Sequence, residues 1–139
     1  VIRALLAVSL AAALLAVSLP AVEAAAADRT AAALDRDVNR LERAGESLLA
    51  ADDPGARRVL TVTLPANSLV AVGVERFVVD CDPACGVRYS LRNGATRTRR
   101  LSLPLVTPDG PVRFGTPGDH RLRLGLARGD GGRVVTVRG

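Results

Sequence analysis

"LPAVEAAAADRT", residues 19–30, is where an uncharged apolar run gives way to charged, helix-forming sequence. Upstream, residues 4–22 hold 19 positions without a charge. As a helix that run measures roughly 28 Å, about one hydrocarbon core. It is longer than the apolar part of a secretory signal, which holds about 7–15 residues. Val22-Glu23-Ala24 nevertheless puts small residues where a signal peptidase reads them, so cleavage after Ala24 is the competing expectation. Arg3, the only side-chain charge before the run, favours a cytoplasmic N-terminal end, and both readings export the C-terminal part of the chain. Nothing downstream asks the helix to stop at Ala24. A retained anchor is therefore the leading expectation.

The sequence after the junction, "EAAAADRTAAALDRDVNRLERAGESLLAAD" (23–52), is rich in Ala, Leu, Glu and Arg, all strong helix formers. Ala31, Leu34, Val38, Leu41, Gly45 and Leu48 show a 3-4-3-4-3 spacing, an apolar seam with Gly45 as its weak position. Asp52-Asp53-Pro54-Gly55 ends the pattern. Pro20 is tolerable inside a spanning helix, where it bends the chain without stopping it. The expectation is one helix of nearly 50 residues, apolar first and amphipathic second. Its seam is too short for a stable coiled coil and reads as a face packed on the protein's own sheet.

Past Pro54 the period changes to two. "RRVLTVTL" (57–64) and "LVAVGVERFVV" (69–79) read as strands around a "PANS" turn. "VRYSLR" (87–92) meets "ATRTRRLSL" (95–103) through Asn93-Gly94, a strong hairpin signal. "HRLRLGLA" (120–127) and "RVVTVR" (133–138) flank "RGDGG", a second hairpin turn in which Arg128-Gly129-Asp130 needs no adhesive role. "VRF" (112–114) reads as a short edge strand between the turns "TPDGP" and "GTPGDH". Six or seven short antiparallel strands are expected. The fold class is α+β: a long N-terminal helix, membrane-spanning then amphipathic, leading into a small antiparallel sheet or sandwich. The parts are an anchor or signal segment (1–22), an amphipathic helix (23–53) and a β domain (54–139).

The net charge of +5 is uneven: +1 over residues 1–22, −2 over 23–51 and +6 over 52–139. A basic domain behind a near-neutral helix points to an anionic partner, or to nothing beyond a solvated, soluble face. Strand alternation puts Val87, Tyr89 and Leu91 on one side with Arg88 and Arg92 on the other, and Leu122, Leu124 and Leu126 opposite Arg121 and Arg123. Arg88, Arg92, Arg97, Arg99, Arg121 and Arg123 are thus the candidates for an anion-binding face. Arg on exposed strands also discourages edge-to-edge association.

Cys81 and Cys85 in "CDPAC" are the only cysteines. In an exported chain such a pair reads first as a disulfide pinning a turn, with two free thiols as the alternative. The spacing is not the C-x-x-C of redox enzymes. A metal site would need His120, the only histidine, and a further ligand from afar. No nucleophile elbow is present, and the Gly-Lys-Ser/Thr phosphate loop is missing. Asp35 and Asp37 lie on different helix faces. Scarce aromatics and the expected export disfavour nucleic acid. A non-enzymatic chain without a cofactor or small-molecule substrate is expected.

"SLAAALLAVSLPAVEAAAADRTAAALDRDVNRLERA" with strands after it resembles the type IV pilins and pseudopilins in architecture, along the whole chain. Those families imply an apolar helix, a Pro near its exit, an amphipathic continuation and a β head. Their charged leader and the Glu near the start of their apolar run are not found here, which predicts different processing from a pilin subunit. A second resemblance is to small uncharacterised haloarchaeal proteins, through the opening over 2–35, "ARRVLTVTLP" over 56–65 and the close over 107–124. That resemblance implies association with type IV pilus or secretion loci.

Two functions from different classes fit these features. The first is a single-pass membrane protein, its partners the membrane lipid and the proteins of a pilus or secretion machine, with the β head outside the cytoplasm. The second is a cleaved, secreted β domain that binds an anionic surface through its Arg-rich face.

Overall fold

One helix, α1 (Ile2–Ala51), opens the chain, and it passes through Pro20 without a break. The computed structural model describes residues 1–51 and 53–139, so Asp52 of the expected helix stop lies outside the described residues. Gly55, just beyond, takes a positive φ of 101°, which only glycine adopts without strain. The two halves of α1 differ as their composition dictates. Residues 1–25 are exposed throughout, whereas Leu34, Val38, Leu41 and Leu48 are at most 1% exposed.

The seam packs on the protein's own sheets. Gly45, the weak position of the seam, sits close against the β domain. A Cβ there would stand 2.6 Å from Cδ1 of Leu103, so a larger residue would have to displace the end of that side chain.

Eight strands complete the chain among the described residues: β1 (Arg57–Leu64), β2 (Val74–Asp80), β3 (Gly86–Leu91), β4 (Thr96–Arg100), β5 (Leu105–Val106), β6 (Val112–Phe114), β7 (Gly118–Gly129) and β8 (Gly132–Arg138). They form two four-stranded sheets, ordered β1-β7-β8-β5 and β4-β3-β2-β6. Inward residues of both sheets, among them Val62, Leu64, Phe77, Tyr89, Leu122 and Leu124, share one core with the helix seam. The helix packs along β1, β7 and β8 of one sheet and reaches β4, an edge of the other, through polar side chains. Asp37 reaches the Thr63 amide of β1, and Asn39 accepts from Arg99 of β4 at 2.6 Å. Both hairpins form as expected, and β6 is an edge strand. Asn93-Gly94 closes its hairpin as part of a three-residue loop: Gly94 alone has a positive φ, 89°, and Leu91 N donates to Ala95 O at 2.8 Å.

Several expectations need correction: the strands number eight among the described residues rather than six or seven, and the one expected over 95–103 ends at Arg100. The strand expected over 69–79 begins only at Val74. Ser68 and Asn67 take the preceding backbone into turns: Ser68 Oγ accepts from Val70 N and Ala71 N, and Asn67 Oδ1 accepts from Gly73 N. Side-chain acceptors there outcompete the β-branched propensity of "LVAVGV". The sheet is also not purely antiparallel. β5, two residues long, pairs parallel with β8, and a segment that short has no readable period.

Candidate functional site: the projecting helix and the surfaces at its exit

Leu5, Leu6, Val8, Leu10, Leu14, Leu15, Val17, Leu19 and Val22 are all more than half exposed on the first half of α1. The mean hydropathy of its apolar window is 2.4, and none of that window is buried. A helix apolar on every side has no stable place in water; it is built for a bilayer or for burial among other chains. An anchor and an export signal both have this form. The first charge after the run is Glu23, and the helix meets the β domain at Ala26, which is buried.

Where the helix enters the domain, the loop 65–73 lies beside it. Leu19, Val22 and Ala26 share a cleft of about 450 Å³ with Asn67, Leu69, Val72 and Arg92. Thr30 Oγ1 donates to Val72 O at 2.8 Å and fixes the loop to the helix.

The six candidate arginines do not form one face. In the β3–β4 register Tyr89 stands opposite Arg97 and Val87 opposite Arg99, and paired residues share a side of the sheet. Arg97 and Arg99 therefore turn inward to the helix. Arg97 meets Asp28 at 3.4 Å, and Arg99 lies 3.9 Å from Asp35 and 3.6 Å from Glu42. Arg88, opposite Thr98, points outward from the same sheet, and Arg92 sits past the end of β3 at the helix exit. Arg121 and Arg123 lie on the outer face of the other sheet. There Arg57, Arg123 and Arg138 surround a notch of about 170 Å³ over Gly125. Arg138 is held by Asp109 at 2.8 Å. Alternation read along one strand misses this split, because it does not fix which neighbour each residue faces.

Cys81 and Cys85 are bridged, closing the connection between β2 and β3. A disulfide belongs to an oxidising compartment, which fits a domain outside the cytoplasm. His120 stacks on Phe114, ring centroids 4.4 Å apart, and its Nε2 is 2.7 Å from Thr116 O. Among the described residues no three His, Cys, Asp or Glu side chains gather as a metal site.

The match to a family model covers residues 1–139, both halves of the helix and the whole β domain. The chain belongs to the family described as the domain of unknown function DUF7311. No curated protein and no solved structure matches it.

Sequence reasoning missed the polar contacts that seat the helix of this DUF7311 chain. Tyr89 is buried, and its hydroxyl donates to Asp35 Oδ1 at 3.4 Å. Burial of the ring pushes the phenol pKa above its ordinary 10.0; the Asp35 charge adds to that, and Arg97 and Arg99 oppose it. Asp37, also buried, pairs with Arg40 and accepts from Thr63 N. The one available signal was that Asp35 and Asp37 sit on different helix faces: each serves a different sheet.

Proposed function

We propose that this DUF7311 protein is a single-pass membrane protein of pilin-like build, with its β head outside the cytoplasm. It serves as a non-enzymatic accessory component of a pilus or secretion machine. The observation that carries the reading is the continuity of α1. Its fully exposed apolar half runs without a break into the half that is sunk in the β domain. A bilayer covers the exposed Leu and Val side chains, each contributing about 1.5–3 kcal/mol on full burial. The Cys81–Cys85 bridge supports an external head. The resemblance to pilins, and to small haloarchaeal proteins of pilus or secretion loci, supplies the machine.

A second reading is a cleaved, secreted domain that binds an anionic surface. Arg57, Arg123 and Arg138 around the Gly125 notch favour it.

Topology tests the first reading. Protease added to intact, wall-free cells should remove the head. A charge at the centre of a spanning helix costs about 2.5–3.5 kcal/mol on insertion scales. Leu14→Arg should accordingly take the protein out of the membrane fraction or block its export, while Ala25→Arg should do neither. A head protected until lysis would invert the topology and remove the pilin-like reading.

A further inference from the structure

The exposed tip of the loop 65–73 stands where nothing in the β domain covers it. Leu69 is 92% exposed and Val70 61% exposed. Such a tip would mean little on a slack loop far from the helix, but this loop is neither slack nor far. Ser68 N donates to Ala71 O at 2.9 Å, and the Ser68 hydroxyl accepts from Val70 N and Ala71 N. Thr30 ties Val72 to the helix, and Arg92 N ties the neighbouring hairpin to Gly73 O at 2.9 Å. Leu69 is thereby held at a fixed height along α1. That height is set by its neighbours in the exit cleft, Leu19 and Val22, which are among the last residues of the uncharged run.

We propose that Leu69 and Val70 are a second membrane contact, entering the interfacial layer of the same bilayer that α1 spans. The inference rests on the anchor reading. If α1 spans, Leu19 and Val22 mark the depth at which it leaves hydrocarbon, and the loop beside them meets the membrane surface. Arg92 lines the same cleft and supplies the cation that lipid phosphates accept. Apolar side chains at the boundary with a basic residue beside them are the pattern of an interfacial contact. One helix crossing a bilayer leaves its head free to tilt. A second contact beside the exit limits that tilt and, with it, sets which surface of the head faces away from the membrane.

The chain contains no Trp, so one introduced Trp reports its own surroundings. The full chain is reconstituted at one copy per lipid nanodisc, which leaves no second copy to cover the loop. Three variants are compared: Leu69→Trp at the loop tip, Leu14→Trp within the span, and Val59→Trp on the exposed outer face of β1. Lipids brominated near the headgroup end of their chains should quench Leu69→Trp strongly, and its emission should be blue-shifted relative to Val59→Trp. Bromines placed deep in the chains should quench Leu14→Trp. Leu69→Trp emission that matches Val59→Trp and resists quenching, with Leu14→Trp quenched, overturns the loop contact and leaves the anchor standing. An unquenched Leu14→Trp removes the anchor, and the loop contact with it.

Discussion

Asp37 Oδ2 accepts the backbone amide of Thr63 at 3.2 Å, so a helix carboxylate takes the place of the strand that β1 lacks on its open edge. Asp35, two positions earlier, turns the other way and meets Tyr89 and Arg99 across the gap. Two residues advance a helix by about 200°, which sends the two acids to opposite sheets. The pair ties the helix to β1 on one side and to β3 and β4 on the other.

Asp37→Ala should leave the Thr63 amide without its acceptor and cost about 1–3 kcal/mol. Asp37→Asn keeps a carbonyl oxygen in place and should cost less. Hydrogen exchange at Thr63 separates the two: fast in the alanine variant and slow in the asparagine variant. Equal exchange in both would remove Asp37 as the edge cap.

Leu41 is 1% exposed in the seam, and Leu41→Ala should lower the stability of the β head by about 2–5 kcal/mol. Gly45→Val tests the close approach. Its added carbons meet Leu103 and Val135, and overpacking of this kind costs about 1–3 kcal/mol. Chemical unfolding monitored by circular dichroism measures both. An unchanged midpoint for Gly45→Val would mean that the Leu103 side chain moves aside without cost.

The helix, its seam and most strands were legible because their periods are long enough to read. Leu34, Val38, Leu41 and Leu48 declare a buried face through spacing alone. Leu69–Gly73 misled because Ser68 and Asn67 act through side-chain hydrogen bonds that residue propensity does not register. β5 was invisible at two residues. The arginines were legible as exposed or strand-borne but not as partners: Arg97 and Arg99 face the helix only through the register of β3 against β4, a long-range fact. The Leu69 tip needs the fold as well, since nothing in "PANSLVAV" places it beside Leu19.

Tyr89 is the only tyrosine, so ionisation read by ultraviolet absorbance belongs to it alone. Its midpoint should lie above the ordinary 10.0, and Asp35→Asn should bring it down. Above that value the unfolded chain gives up the phenol proton while the folded chain keeps it. The contribution to stability is therefore complete below about pH 10 and falls as pH rises through the folded pKa. A midpoint at or below the ordinary value would mean that burial and Asp35 do not outweigh Arg97 and Arg99.

Cys81 and Cys85 should resist alkylation in the unreduced protein. Reduction should cost only about 2 kcal/mol, because the closed loop is small. Quantitative labelling without reductant would contradict both the bridge and the oxidising compartment it indicates.

A membrane role for α1 requires that residues 4–22 remain in the mature protein as its anchor. Trypsin cuts after Arg3 and Arg29, so the membrane-extracted protein should yield one peptide covering residues 4–29, unbroken across Ala24-Ala25. Mass spectrometry of the organic-soluble digest detects it directly. The anchor predicts that peptide in the mature protein. A mature chain that instead begins at Ala25, seen as a peptide covering 25–29, contradicts the anchor and leaves a secreted β domain.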